Sequence, residues 1–180
     1  MRITIGTPAA FIVSVLSLVV ASWGAINSNQ NAKVSARPYL VATPQLDGSA
    51  KKFGLYVSNA GPGAAVIKNA AITANGKRYE GLTTSIWPDF IRDTGLTTLC
   101  YRTGWPQEGS VLKTGEDDPL LVVSDSAPPT CQAEILRLLA SKDLTIRIEY
   151  QSIFDETYVF ERNIRFRDAS AEKIANQLPN

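Results

Sequence analysis

Two cysteines, Cys100 and Cys131, are the residues whose chemistry is easiest to anticipate. Cysteines of exported domains commonly form disulfides, because the compartments outside the cytoplasm are oxidising. We therefore expect a Cys100–Cys131 disulfide that closes a loop of about 30 residues and stabilises the fold by about 3 to 4 kcal/mol. The alternative is a pair of buried thiols in a cytoplasmic domain. Cys131 is predicted near a helix N-terminus, where the pKa of a thiol falls, but the usual thiol catalysis also needs a histidine.

The chain contains no histidine, which removes the commonest general base and the commonest metal ligand. Residues 116–118 concentrate carboxylates in one loop but lack the ligand spacing of a calcium loop, so we predict a solvated hairpin tip. Other carboxylates could serve glycoside hydrolysis, yet nothing places two of them at the required separation: Asp89, Asp93, Asp155 and Glu156. The sequence thus predicts no enzyme, no metal and no cofactor.

Aromatic and arginine side chains collect in the least regular part of the chain, residues 81–107, where glycines and prolines break any long element. Loops often carry binding sites, and aromatic residues and arginine dominate interface energetics. An interaction surface in this region would use the following residues: Trp87, Phe90, Arg92, Tyr101, Arg102 and Trp105. The alternative is that the aromatic residues close one open end of the domain as part of its core.

The N-terminal segment of the chain has the composition of a membrane anchor. No charged residue lies between Ile3 and Ile26, and about 24 residues at 1.5 Å each reach about 36 Å, more than the roughly 30 Å of hydrocarbon in a bilayer. Thr7-Pro8 is a typical helix start. We predict a transmembrane anchor at residues 1–26 and a juxtamembrane linker at residues 27–36. The alternative, a cleaved signal peptide, normally has a shorter apolar run.

Two signals oppose each other on the orientation of this anchor. Lys33 and Arg37 outnumber Arg2, so a simple positive-inside count favours a cytoplasmic domain. Long domains, however, translocate largely regardless of such small biases, and the cysteine pair favours an oxidising compartment. We therefore predict a single-pass protein of a bacterial inner membrane with its domain in the periplasm.

Small residues recur along one face of the predicted helix, at Ala10, Ser14, Ser17, Ala21 and Gly24. Small side chains let membrane helices approach closely and pack by van der Waals contact. This small-residue stripe is a candidate contact with another membrane protein or with a second copy of the chain. The alternative is a chance distribution, because Ala, Ser and Gly are common in membrane helices.

Strand patterns dominate after the linker and predict a β domain at residues 37–168, followed by a C-terminal tail at residues 169–180. The clearest pattern is Leu144–Gln151, where apolar and polar residues alternate. Asn75-Gly76 is a strong hairpin-turn signal. We expect about seven to nine antiparallel strands in a β-sandwich. The helical patterns that interrupt the strands lie at residues 88–93 and 130–141.

The segment Leu55–Ala64, LYVSNAGPGA, resembles the V-x-N-x-G-x-x-x-A signature of immunoglobulin-like sandwiches in bacterial surface proteins. In such a loop an Asn bonds its own backbone, a Gly supplies a positive φ, and a small residue lets the chain enter the next strand closely. The resemblance implies an immunoglobulin-like sandwich on an anchored, exported protein, and it implies no activity.

The charge of the chain is nearly balanced, with 18 Lys and Arg against 17 Asp and Glu, so no global field favours nucleic acid. The leading expectation is a non-catalytic, membrane-anchored interaction protein or accessory subunit of an envelope complex. Its partners would be the lipid bilayer and other membrane or envelope proteins, or a second copy. The alternative is an extracytoplasmic module that binds a ligand such as a glycan or envelope polymer.

Overall fold

The computed structural model of the chain describes residues 7–47, 52–81, 86–104, 107–141 and 143–164. The chain divides into two compact units between Ala36 and Arg37. The predicted C-terminal tail at residues 169–180 lies outside the described residues.

The first unit contains helix α1, which spans Thr7–Ser35 over 29 residues. This helix is long and apolar enough to cross a membrane. Its serine hydroxyls bond back to the preceding turn, since Ser14 Oγ donates to Ala10 O and Ser17 Oγ donates to Val13 O, each at 2.8 Å. Because these hydroxyls find their acceptors within the helix, they are compatible with an apolar environment.

Helix α1 continues past Ile26, where the sequence pattern placed the end of the anchor. The predicted linker at residues 27–36 is therefore helical as far as Ser35. This stretch contains no glycine or proline, and an existing helix extends through it without a second nucleation cost. Pro38 accounts for the end of the helix, because a residue that precedes proline, here Arg37, disfavours helical backbone.

The second unit begins with strands β1 (Leu40–Asp47) and β2 (Lys52–Asn59), which pair antiparallel over their whole length. Strand β7 (Asp117–Val123) lies on the other side of β2, and the short strand β5 (Tyr101–Thr103) pairs with β7. A 3₁₀ turn at Thr98–Cys100 precedes β5. The first sheet thus has the order β1-β2-β7-β5.

The second sheet is built around β3 (Ala65–Ala74), which pairs antiparallel with β4 (Lys77–Glu80) and with β8 (Leu144–Gln151). Strand β9 (Thr157–Ile164) pairs with β8 and is the outer strand on that side. The two-residue strand β6 (Val111–Leu112) pairs with the start of β3. The order of this sheet is β4-β3-β8-β9, with β6 off that path.

Two sequence patterns account for the second sheet. Asn75 and Gly76 form the β3–β4 turn with φ values of 50° and 81°, and a type I′ turn requires positive φ at both central positions. In β8, every second residue is buried, because successive side chains of a strand point to opposite faces. The buried residues of β8 are Leu144, Ile146, Ile148 and Tyr150.

The two sheets share one hydrophobic core, to which helices α2 (Ile86–Thr94) and α3 (Pro129–Ser141) contribute. The core residues of the two helices are Trp87, Phe90, Ile91, Cys131, Ile135, Leu138 and Leu139. Both helices overlap the helical patterns of the sequence. The predicted fold class is confirmed: the chain is mainly β, with antiparallel sheets after an N-terminal apolar helix.

Candidate functional site

The aromatic residues predicted as an interaction surface are core residues instead. Trp87 and Phe90 lie on α2 and are 2% and 0% exposed. The two rings meet edge to face with their centroids 5.4 Å apart, and Tyr79 packs on Phe90 in the same way at 5.3 Å. Such edge-to-face pairs contribute to core packing beyond the area they bury. The surface prediction is therefore wrong for Trp87 and Phe90, and the alternative, a core position, is correct.

Tyr101, a third residue of the predicted surface, is also buried and holds α3 against β5. Its hydroxyl donates to the carbonyl oxygen of Cys131 at 2.9 Å and lies 3.2 Å from a carboxylate oxygen of Glu134. Burial, and then the negative charge of Glu134, raise the pKa of Tyr101 well above its ordinary value. The backbone N–H and the hydroxyl of Thr97 donate to the same carboxylate at 2.9 and 2.8 Å.

The arginines of the predicted surface are exposed but do not converge. Arg92 pairs with Asp89 on its own helix at 2.6 Å, and Arg102 lies 3.7 Å from Asp125. Exposed pairs of this kind contribute little to stability. Trp105 lies outside the described residues. The six predicted residues therefore do not form one surface in the described part of the chain.

The predicted disulfide is present between Cys100 and Cys131, whose Cα atoms are 5.4 Å apart. Both residues are buried, at 4% and 0% exposure. The bond joins the end of the 3₁₀ turn to the first turn of α3. It therefore fixes the same helix that Tyr101 and Glu134 hold in place.

The carboxylates at residues 116–118 are divided between a turn and the start of β7. Asp117 is exposed and pairs with Lys52 at 3.1 Å. Asp118 is half-buried, and burial, reinforced by the charge of Glu116, raises the pKa of its carboxyl. Within the described ranges, no group of three or more His, Cys, Asp and Glu side chains is placed to hold a metal ion.

The loop that begins at Asn59, within the segment that resembles the immunoglobulin-like signature, owes its shape to that residue. Asn59 is fully buried. Its Oδ1 accepts from the backbone N–H groups of Tyr39 and Gly61 at 3.1 and 3.0 Å. Its Nδ2 donates to the carbonyl oxygens of Gly63 and Leu112 at 2.7 and 3.0 Å. Every hydrogen-bonding position of the amide is thus used, and Asn59 ties together the entry to β1, the loop itself and β6.

Gly61 of this loop does not supply the positive φ that the resemblance implied. Its backbone instead lies against the segment that precedes β1. A Cβ atom at position 61 would fall 2.4 Å from Tyr39 N and 2.5 Å from Arg37 O. Glycine is required here because no other residue allows two backbones to approach this closely.

A groove that sequence reasoning missed lies between the outer strands of the two sheets, β1 and β9. We call it the edge groove, and its cavity measures about 340 Å³. It is defined by Arg37, Tyr39, Tyr150, Tyr158, Phe160 and Arg162. In the β8–β9 register Tyr158 stands opposite Tyr150 and Arg162 opposite Ile146, so these residues of β9 share the face of the buried β8 residues.

The side chains at one end of the edge groove form a stack. The rings of Tyr150 and Tyr158 lie 5.6 Å apart at an interplanar angle of 27°, and the guanidinium of Arg37 lies 4.9 Å from the centroid of Tyr158. Burial raises the pKa of Tyr150, while a Leu40 backbone hydrogen bond and the charge of Arg37 act in the opposite direction. Tyr39 is exposed at 63%.

The edge groove carries two arginines whose charges no carboxylate neutralises at ion-pair distance among the described residues, Arg37 and Arg162. Glu161 also borders the groove, but its carboxylate belongs to the opposite face of β9, where Arg147 binds it at 2.7 Å. The one sequence signal for this site was Arg162, a charge that interrupts the apolar face of β9. That signal could not reveal the partner strand β1.

Comparison with known proteins assigns the chain to a family. No curated protein and no solved structure is significantly similar to it. A family model described as a domain of unknown function, DUF8453, matches residues 3–170. The matched range includes helix α1 together with all the strands described above. The chain therefore belongs to the DUF8453 family.

Proposed function

We propose that this chain is a non-catalytic, single-pass membrane protein in which α1 anchors an immunoglobulin-like domain and which acts as an interaction or accessory subunit of an envelope complex. The observation that carries the proposal is the apolar surface of α1. Its large side chains are strongly exposed, with Phe11 and Val20 at 71% and Trp23 at 69%. A continuous apolar surface of this kind is stable in lipid or against another protein.

The disulfide supports an exported position for the domain. Cytoplasmic thiols are kept reduced, whereas those of the periplasm are oxidised. Buried disulfides such as Cys100–Cys131 stabilise small exported domains. We place the protein in a bacterial inner membrane with its domain in the periplasm.

The small-residue stripe of α1 supports contact with a second membrane helix. Ser14 and Ser17 bond their hydroxyls within their own helix, which leaves the stripe smooth, and Gly24 has open space around it. Close approach of two helices along such a face gains van der Waals contact. The partner on this face is another membrane subunit or a second copy of the chain.

Membrane topology can be tested by maleimide labelling in intact cells, with and without reductant. We expect Cys100 and Cys131 to label only after reduction, in protein that fractionates with the membrane and retains residues 1–26. Thiols that label without reductant, and only after permeabilisation, would place the domain in the cytoplasm. A mature chain without residues 1–26 would show that the segment is a cleaved signal peptide.

Partner contact can be tested by crosslinking the full chain in mild detergent. We expect the double variant Ser14→Leu, Ser17→Leu to lose its crosslinked partner, because larger side chains separate two helices that pack on a small face. The matched control is Val15→Leu, Val19→Leu, which changes the opposite side of α1 and keeps it apolar. Equal crosslinking in both double variants would contradict the proposed contact.

A second candidate function is the binding of an extracytoplasmic ligand such as a glycan or envelope polymer. The residues first considered for it cannot serve, because Trp87, Phe90 and Tyr101 are buried. The edge groove favours this candidate instead, since its volume is within the range of small-ligand sites, about 300 to 1,000 Å³. The test is a screen of acidic and neutral oligosaccharides against the full chain in detergent, in which no binding at all would exclude the candidate.

A further inference from the structure

We infer that the edge groove binds an acidic saccharide, whose anionic group Arg37 and Arg162 hold and whose ring packs on the exposed Tyr39. The inference rests on the second candidate function proposed above. It specifies the charge of the ligand and the residues that contact it. A carboxylate and a phosphate ester on a sugar share the chemistry that two guanidinium groups recognise.

The positive charge of the groove favours an anionic ligand. Arg37 and Arg162 both line it, and no carboxylate among the described residues pairs with either of them. Arg147 binds the Glu161 carboxylate on the opposite face of β9. A ligand that brings its own negative charge therefore gains charge-assisted hydrogen bonds without displacing an existing ion pair.

The aromatic residues of the groove favour a ligand that contains a sugar ring. The ring of Tyr158 stacks on Tyr150 and also contacts the Arg37 guanidinium, so its surface is largely taken up by these two groups. Tyr39 lines the same groove and is 63% exposed, so an amphipathic aromatic side chain is accessible to a ligand there. Sugars display apolar C–H faces and many hydroxyls, and tyrosine offers a partner for each. A volume of about 340 Å³ accommodates one or two sugar rings.

Arg162 also has a purely structural explanation. An inward-pointing charge on an outer strand such as β9 discourages edge-to-edge pairing with another chain. A lysine would serve that purpose equally well, whereas it cannot offer the two parallel N–H donors with which arginine binds a carboxylate or phosphate. The structural explanation does not extend to Arg37, which lies outside any strand.

The inference is tested by calorimetric titration of the full chain in detergent. The ligands are a galacturonic acid tetramer, a phosphorylated sugar and a neutral tetramer. We expect the acidic ligands to bind and the neutral tetramer to bind at least tenfold more weakly. The variants Arg37→Gln and Arg162→Gln should each weaken acidic binding about tenfold, and Arg162→Lys should weaken it nearly as much. The control Arg102→Gln removes an exposed arginine outside the groove and should leave binding unchanged.

The outcomes distinguish a failure of the edge groove as the binding site from a failure of the proposed ligand-binding function. Equal binding of acidic and neutral tetramers, or acidic binding that survives Arg37→Gln with Arg162→Gln, overturns the edge groove as an anion site while ligand binding itself stands. No binding of any saccharide overturns both. Preference for the galacturonate tetramer or for the phosphorylated sugar identifies the anionic group, and both preferences support the inference. Thermal unfolding of each variant is the control, since an unchanged melting temperature means that a loss of affinity does not arise from a loss of folded structure.

Discussion

The side-chain amide of Asn59 donates a 3.0 Å hydrogen bond to the carbonyl oxygen of Leu112, 53 residues later in the chain. Through this bond, the loop after β2 is joined to strand β6 of the other sheet. The same side chain accepts from Tyr39, just before β1. A single buried amide therefore couples both sheets to the point where the chain enters the domain.

Replacing Asn59 should destabilise the domain strongly. Asn59→Ala leaves two N–H groups and two carbonyl groups without their partner, and each unsatisfied buried group costs about 1 to 3 kcal/mol. We expect the free energy of unfolding to fall by about 4 kcal/mol or more, measured by urea denaturation. The control Asn163→Ala, at an exposed site on β9, should change it by less than about 0.5 kcal/mol. Equal effects would show that the amide network is dispensable.

Gly61→Ala should also be destabilising, but for a steric reason. The added methyl group would lie 2.4 Å from Tyr39 N, and a backbone atom cannot yield as the end of a flexible side chain can. We expect a loss of about 1 to 3 kcal/mol in the free energy of unfolding. Asn163→Ala, at an exposed site on β9, is again the control. A neutral Gly61→Ala would mean that the Arg37–Tyr39 segment moves aside.

Reduction of the disulfide should lower the stability of the domain without unfolding it. The Cys100–Cys131 bond spans a sequence separation of 31, for which the chain-entropy model gives about 3 to 4 kcal/mol. We expect Cys100→Ser with Cys131→Ser to lower the melting temperature by the same amount as reductant does on the native chain. A double variant that is insensitive to reductant and as stable as the oxidised protein would contradict this.

Alkaline pH should destabilise the protein in part through Tyr101. Because the pKa of Tyr101 is raised on folding, its contribution is complete below the unfolded value of about 10 and is lost as pH rises above it. Each such tyrosine adds about 1.4 kcal/mol per pH unit to the decline. Tyr101→Phe should therefore show a shallower loss of stability between about pH 10 and 12 than the native chain. Parallel stability curves would exclude Tyr101 as the source.

The elements of the fold were accessible from the sequence because they depend on local patterns. The alternation in β8 and the Asn75-Gly76 turn each specify a backbone shape within a few residues. The burial of the α2 aromatics was accessible as well, since Trp87, Phe90 and Ile91 have the spacing of one helical face. A helical pattern was predicted at residues 88–93, but the glycines and prolines around it suggested an exposed binding region instead of a core position.

The edge groove was not accessible in the same way. It requires β1 and β9 to be the outer strands of two different sheets that meet along one side, and strand order depends on contacts distant in sequence. Arg162 was visible only as an interruption of an apolar face. Its relation to Arg37 and Tyr39 follows from the topology and from no local signal.

The covalent link between Cys100 and Cys131 encloses the exposed turn at residues 107–109. Exposed turns are preferred sites of proteolysis. A protease that cuts the chain there would leave two fragments, one with α1 and one with β8 and β9, still joined through the sulfur atoms. Such a nicked protein would migrate as one species on a denaturing gel without reductant and as two with it, so the domain can survive a cleavage that would separate an unlinked chain.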